Sequence, residues 1–210
     1  MRPKPSRVRN EQALASVAAR IASCEVCPEL CHNAQNPVPG EGNPEADIMF
    51  VGEAPGAQED REGRPFIGAS GKFLAEMLGS IGLTRDDVFI TNIVKYRPPQ
   101  NRDPSPSEIT DCLPYLMEQI DIIRPKLVVF LGRHSMSVFF PELKISEAHG
   151  QPLKRTYTYE GVEHPQTFLP LYHPAAALYN GSMRATLLKD FSQIPALLKS
   201  LSISQIHKFY

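Results

Sequence analysis

The stretch DIMFVGEAPGAQEDREGRPFIGASG, Asp47–Gly71, decides the fold. It opens on a short apolar run closed by a glycine, and an acidic, turn-forming segment follows. An unbroken apolar run of this length suits a strand buried on both faces, as in a parallel sheet covered by helices. Three further runs read the same way: Val88–Val94 (VFITNIV), Leu127–Gly132 (LVVFLG) and Thr167–His173 (TFLPLYH). Helical patterns flank or separate them over Glu11–Cys24, Gly71–Ile81, Ser107–Ile123, Ser135–Phe140 and Met183–Leu201, with Ser107 read as an N-cap and Glu108 in the first turn. Leu153–Tyr159 and Val162–Phe168 form a hairpin around Glu160-Gly161. The alternation predicts a doubly wound α/β sandwich. One domain is expected over residues 1–210, with residues 1–23 as an N-terminal extension and helix.

Ligands of such folds bind beyond the carboxyl ends of the strands. That rule directs attention to Gly52–Gly71, Asn92–Pro106, Gly132–Ser135 and His173–Asn180. Composition narrows the classes further. A net charge of −1 lacks the basic excess of a protein that coats nucleic acid, so any DNA contact has to be local. No run of ~18 apolar residues is present and the basic first 20 residues lack a signal-like apolar core, so a cytoplasmic protein without a membrane span is expected. Four cysteines are too few for a disulfide scaffold in a reducing compartment, which points to metal or catalysis.

In the first loop, Gly52, Ala54 and Gly56 let backbone approach a ligand, and Glu53, Glu59 or Asp60 can orient or activate water. Solvated loops also collect these residue types. Neither a Walker nor a dinucleotide fingerprint is present. Phe66 is a candidate for stacking on a base, with plain core packing as the rival reading. Asn92 ends a buried strand. Its amide carries a donor and an acceptor that match the O4 and N3–H edge of uracil and mismatch cytosine; a satisfied core asparagine would look the same. Lys95, Arg97 and Arg102 offer charge to phosphates, or a solvated basic surface. Asn101 serves the same crevice. His173 leaves the last strand where it can stabilise an anionic leaving base, although a lone histidine is more often structural. Leu178 is placed to fill the gap left by an extruded base.

Cys24, Cys27 and Cys31 are spaced C-x-x-C-x-x-x-C, which a helix would bring to one face, and Cys112 sits on a later helix. Three close thiols suit an iron–sulfur cluster or zinc, with His32 as a further zinc ligand. Buried small cysteines are the ordinary alternative.

Taken together, CEVCP, VPGEGNPEADIMFVGEAPGAQEDREGRPFIGASG, ITNIVKYRPPQNRDP and YHP, in that order from Cys24 to about Leu198, resemble the family 4 uracil-DNA glycosylases of bacteria and archaea. The resemblance implies a three-layer α/β/α sandwich with a central four-stranded parallel sheet, and an enzyme of base excision repair; a monomer is expected. It further implies hydrolysis of uracil from single- or double-stranded DNA and a [4Fe–4S] cluster. It also implies roles: Glu53 in the water-activating motif, Phe66 stacked on the base, Asn92 reading it, His173 assisting departure, and Asn101 beside the pocket, where it is expected to join Glu53 and His173 in catalysis; Arg64 is expected among the DNA contacts. Gly56 stands where other glycosylase families place a bulky residue that blocks the thymine methyl, which leaves a broader deaminated-base glycosylase as an alternative. Tyr96 stands where relatives carry a cluster cysteine, so Cys31 is expected to join Cys24, Cys27 and Cys112. Ala175-Ala176-Ala177 replaces Ser and bulkier residues after His173-Pro174, which leaves a catalytically weak DNA-binding protein as the other alternative.

Overall fold

The structure, a computed structural model, describes residues 6–23 and 27–206. Six strands, β1 (Glu41–Gly42), β2 (Ile48–Gly52), β3 (Phe89–Asn92), β4 (Leu127–Leu131), β5 (Leu153–Tyr159) and β6 (Val162–Leu171), form one sheet in the order β1-β3-β2-β4-β6-β5. The inner four are parallel, and β1 and β5 are antiparallel edges. Among the described residues there are ten α-helices: α1 (Arg7–Ala22), α2 (Pro28–Asn33), α3 (Ala57–Glu62), α4 (Ala69–Ser80), α5 (Pro106–Ile123), α6 (Arg133–Phe139), α7 (Ile145–Ala148), α8 (Ala176–Tyr179), α9 (Gly181–Phe191) and α10 (Ile194–Ile206).

The continuous apolar runs conceal a period of two. Met49 and Val51 of β2 and Val128 and Phe130 of β4 pack with α1, α5 and α6 on one face. Ile48, Phe50, Leu127, Val129 and Leu131 pack with α4, α9 and α10 on the other. Every residue of β2 and β4 is buried, so both faces read as apolar and the layers are α/β/α. The expected four parallel strands are those of the sheet's centre. The edge strand β1 was not legible because two residues carry no pattern.

Three local readings change. The N-cap of α5 is Ser105 rather than Ser107: Ser105 Oγ accepts from Glu108 N at 3.3 Å, the Glu108 carboxylate accepts from Ser105 N at 2.7 Å, and Pro106 occupies the first turn, where its missing N–H costs nothing. The expected closing helix is two, α9 and α10, because Pro195 cannot supply the N–H that a continuous helix needs and fits only an opening turn. The cysteine segment is not one helix either. Cys27 takes a left-handed conformation, φ 58°, as the N-cap of α2, with Pro28 next, while Cys24 lies outside the described residues.

In sequence order the parallel strands run second, first, third, fourth across the sheet, so the order reverses between β2 and β4. Open α/β sheets bind ligands beyond the carboxyl ends of strands at such a point. Gly52-Glu53 and Gly132–His134 leave the sheet there.

Candidate active site

A cavity of about 240 Å³ opens at this reversal, lined among others by Glu53, Gly132, Arg133, His134, Tyr172 and His173. Glu53 follows β2 directly, and its backbone is pinned when Gly52 O and Glu53 O accept from Ile93 N and Val94 N, both at 3.0 Å. Its Oε1 is buried with no hydrogen-bond partner among the described residues. Burial, reinforced by the Asp103 carboxylate and opposed by Arg133, pushes its carboxyl up to about 7. A carboxylate so placed changes protonation near neutral pH, which suits a base that takes a proton from water.

His173 follows β6 on the other side of the cavity. Its Nδ1 accepts from Ala175 N at 3.1 Å, so the neutral ring carries its proton on Nε2. Burial, with His134 nearby, pushes the imidazole down to about 4, Glu59 opposing, so the ring is neutral at pH 7 and acts as a donor without a charge. Gly132, at φ 103°, is what lets the ring sit there: a Cβ at that position would lie 3.0 Å from His173 Cβ.

Phe66 and Asn92 meet over Gly52. A Cβ on Gly52 would lie 2.4 Å from Asn92 Oδ1 and 2.5 Å from Phe66 Cζ, so only glycine leaves room for both. The Phe66 ring is tilted toward His173 with centroids 5.8 Å apart. Its backbone is left-handed, φ 50°, an unfavourable state for a bulky residue that its surroundings must hold in place. Arg85 donates to Phe66 O at 2.7 Å and Pro65 O at 2.6 Å, and Glu59 Oε1 accepts from Ile67 N and Gly68 N, each at 2.9 Å. Glu59 is therefore committed to bracing this turn. Asn92 is buried and its Oδ1 has no partner among the described residues.

The other expected positions are distributed differently. Ala54 is half-buried next to Glu53, and Gly56 caps α3, where a Cβ would meet only the Glu59 side chain, its Oε2 at 2.9 Å. Asp60 is buried and accepts from Gln35 N and Asn36 N at 2.8 and 3.3 Å, a brace for the segment before β1. Asn101 is exposed, and its amide oxygen holds Arg97 Nε at 2.8 Å. Lys95, expected at phosphates, is fully buried: its Nζ donates to Thr91 Oγ1, Asn92 O and Gln119 Oε1 at 2.8, 2.7 and 2.9 Å, and burial pushes it down to about 7. It therefore supports the Asn92 backbone and does not face solvent. Arg64 pairs with Glu41 and Arg102 pairs bidentately with the buried Glu108, so both cations have local partners. Leu178 is exposed on α8, and Tyr179 beside it, which the sequence reading did not single out, is 90% exposed.

The reading also missed His134, Arg133 and Asp103. Their signal was position alone: Arg133 and His134 directly follow Gly132 at the end of β4. Glu53, Asp103 and His134 place ligand-type atoms within 4.8 Å of one another. Arg133 Nε already donates to His134 Nε2 at 2.9 Å, and this guanidinium opposes a second cation there.

At the start of α2 and on α5, Cys27 and Cys112 are buried free thiols. Burial, with Cys112 and the acids Glu108 and Asp111 nearby, pushes the Cys27 thiol up to about 12. Cys31 is half-buried one turn along α2 and is disulfide-bonded. Tyr96 fills the neighbouring space, its hydroxyl donating to Ile21 O.

A buried parallel sheet carries a carboxylate, a neutral histidine and an unpaired amide oxygen at its reversal point, and the family model of the uracil DNA glycosylase superfamily matches residues 39–198. A type-4 uracil-DNA glycosylase of Sulfurisphaera tokodaii is 50% identical over 191 residues, covering 88% of this chain and 84% of that protein. One of Saccharolobus solfataricus is 46% identical, covering 90% and 88%, and one of Thermotoga maritima 39%, covering 90% and 96%. The chain belongs to the uracil DNA glycosylase superfamily and, within it, to the type-4 enzymes.

Proposed function

We propose that this chain hydrolyses the N-glycosidic bond of uracil in DNA and leaves an abasic site, with Phe66 and Asn92 receiving the base and Glu53 and His173 carrying the chemistry. The observation that carries this reading is Asn92 Oδ1, a buried acceptor without a partner among the described residues, beside the Phe66 ring. Uracil N3–H supplies the missing donor. Cytosine N3 is itself an acceptor and would leave a buried group unpaired, at a cost of about 1–3 kcal/mol. A base in a duplex reaches such a pocket by leaving the stack, which exposed Leu178 and Tyr179 are placed to fill; single-stranded DNA needs no such filling.

The C1′–N1 bond breaks with its electron pair leaving on uracil, and His173 Nε2–H donates to O2, where the negative charge gathers. A neutral donor is suited to this task because it stabilises the anion without first pairing with another charge. Glu53, as the carboxylate, takes one proton from water while the water oxygen bonds to C1′. The uracil anion takes up a proton at N1 from solvent, Glu53 returns the proton of water to solvent, and the products are free uracil and an abasic sugar.

The Cys27–Cys112 pair is a buried, thiol-only donor set, which fits a soft metal or an iron–sulfur cluster and not a hard cation. We assign Cys24, Cys27, Cys31 and Cys112 as ligands of a [4Fe–4S] cluster, with the Cys31 disulfide reduced. Such a group, when bound, would tie the start of α2 to α5.

The test is chromatographic detection of free base from oligonucleotides carrying uracil, cytosine or thymine. Uracil alone should be released. Asn92→Asp should lose uracil release and gain weak cytosine release, and undiminished uracil release by this variant would refute the role given to Asn92.

A further inference from the structure

His134 occupies the first turn of α6, two residues beyond Gly132, the N-cap that follows β4. Its ring stands between two carboxylates. Nδ1 is 3.4 Å from Glu53 Oε1 and Nε2 is 3.5 Å from Asp103 Oδ2. Which nitrogen carries the proton is set by the neighbour in sequence: Arg133 Nε donates to His134 Nε2 at 2.9 Å, and a guanidinium N–H can only donate. Nε2 is therefore the acceptor, and the ring proton sits on Nδ1, the nitrogen on the Glu53 side.

Glu53 Oε1 needs such a donor. It is buried and no described residue hydrogen-bonds to it, and a buried carboxylate oxygen left unpaired is costly. At 3.4 Å the His134 donor is poised without closing. Catalytic hydrogen bonds are often long in a free enzyme and tighten when substrate excludes water. The groups facing Glu53 are His134 and Arg133 from α6, Asp103 from the segment before α5, and His173 across the cavity. Asp103 opposes the carboxylate form and Arg133 favours it. His134 is the group that brings a ring nitrogen within reach of the oxygen, at 3.4 Å, without the alignment of a closed hydrogen bond.

We infer that His134 is a positioning residue for the hydrolysis: its Nδ1–H closes on Glu53 Oε1 and holds that side chain as an oriented carboxylate while it takes the proton of water, with Arg133 fixing the tautomer. The inference rests on the reading of Glu53 as the base that activates water. It assigns His134 no contact with the leaving base, which His173 faces.

The experiment measures single-turnover uracil excision from a single-stranded oligonucleotide between pH 5.5 and 9. The variants are His134→Leu, His134→Asn and Glu53→Gln, with thermal melts confirming that each folds. The wild-type rate should rise with pH through a midpoint near 7, where Glu53 loses its proton. Losing a hydrogen bond to the charged form moves that midpoint up by about one unit in His134→Leu, roughly a tenfold loss on the acid side that shrinks as pH rises. The Asn amide N–H occupies the place of Nδ1–H, so His134→Asn should return most of the shift. An unchanged midpoint in His134→Leu, or an equal loss at every pH that Asn does not restore, overturns the inference while a slow Glu53→Gln leaves the Glu53 reading standing. A Glu53→Gln variant as fast as wild type overturns both.

Discussion

Gly52→Ala is the sharpest probe of the site, because the backbone of Gly52 is ordinary strand and an alanine there carries no conformational penalty of its own. What it meets is the pocket. The new methyl carbon would lie 2.4 Å from Asn92 Oδ1 and 2.5 and 2.7 Å from two atoms of the Phe66 ring, whereas ordinary contact begins at 3.4 Å. Both side chains therefore have to withdraw by about 1 Å. Overpacking of this kind costs about 1–3 kcal/mol of stability. A 1 Å misplacement of groups that orient a reacting molecule costs about 10²-fold in rate. Single-turnover excision of uracil by Gly52→Ala should fall by about that factor, with the protein still folded by thermal melting. Gly79→Ala is the control: nothing lies within 4 Å of its added carbon, and alanine is favoured over glycine in a helix by about 1 kcal/mol, so it should melt higher and cleave normally. A Gly52→Ala enzyme within about threefold of wild type would refute the reasoning that Phe66 and Asn92 together receive the base.

Three further outcomes follow from the same contacts. His173, a base pushed down to about 4, binds protons in the unfolded chain that the folded one rejects, so its contribution to stability is lost as pH falls from 6.5 toward 4. Glu53, an acid pushed up to about 7, does the reverse, and its contribution is lost as pH rises from 4.5 to 7; each is worth at most about 3 kcal/mol. Denaturant melts against pH should therefore be flat where the two windows overlap, fall toward acid in Glu53→Gln and fall toward neutral in His173→Asn; parallel curves for all three proteins would contradict these shifts. Glu108→Ala removes the reciprocal cap of α5 and leaves Arg102 without its partner, which should cost about 1–3 kcal/mol in a urea melt. Protein purified without oxygen should contain iron and labile sulfide and lose both on Cys112→Ser; zinc in their place would replace the cluster assignment.

The four parallel strands were legible because each contributes an unbroken stretch buried on both faces, Ile48–Gly52, Phe89–Asn92, Leu127–Leu131 and the second half of β6 from Thr167, so composition sufficed without periodicity. Gly52, Glu53, Phe66, Asn92 and His173 were legible because each lies at or just after the carboxyl end of a strand or in its loop. The same rule pointed to the segment beginning at Gly132, yet nothing in sequence says that His134 faces Glu53, since that depends on how α6 leaves β4. Lys95 was misread for a related reason. A lysine among arginines suggests a basic surface, and its burial follows from Thr91, Gln119 and the Asn92 carbonyl converging on its Nζ, two of them from neighbouring turns of chain and one from α5. The cap of α5 differed by two residues because Ser105 and Ser107 are chemically equivalent, and only the reach of Glu108 back to Ser105 N separates them. Gly56 read as empty space in the pocket, and the one side chain that an added Cβ would meet there is Glu59, whose approach from α3 no sequence pattern shows.

The central claim is tested most directly by alkali-revealed cleavage of a uracil-containing oligonucleotide, using wild type, Glu53→Ala and His173→Ala. The account predicts strand breaks at the uracil with wild type and far fewer with either variant while both remain folded. Breaks undiminished in both variants, or none with the wild-type enzyme, would contradict it.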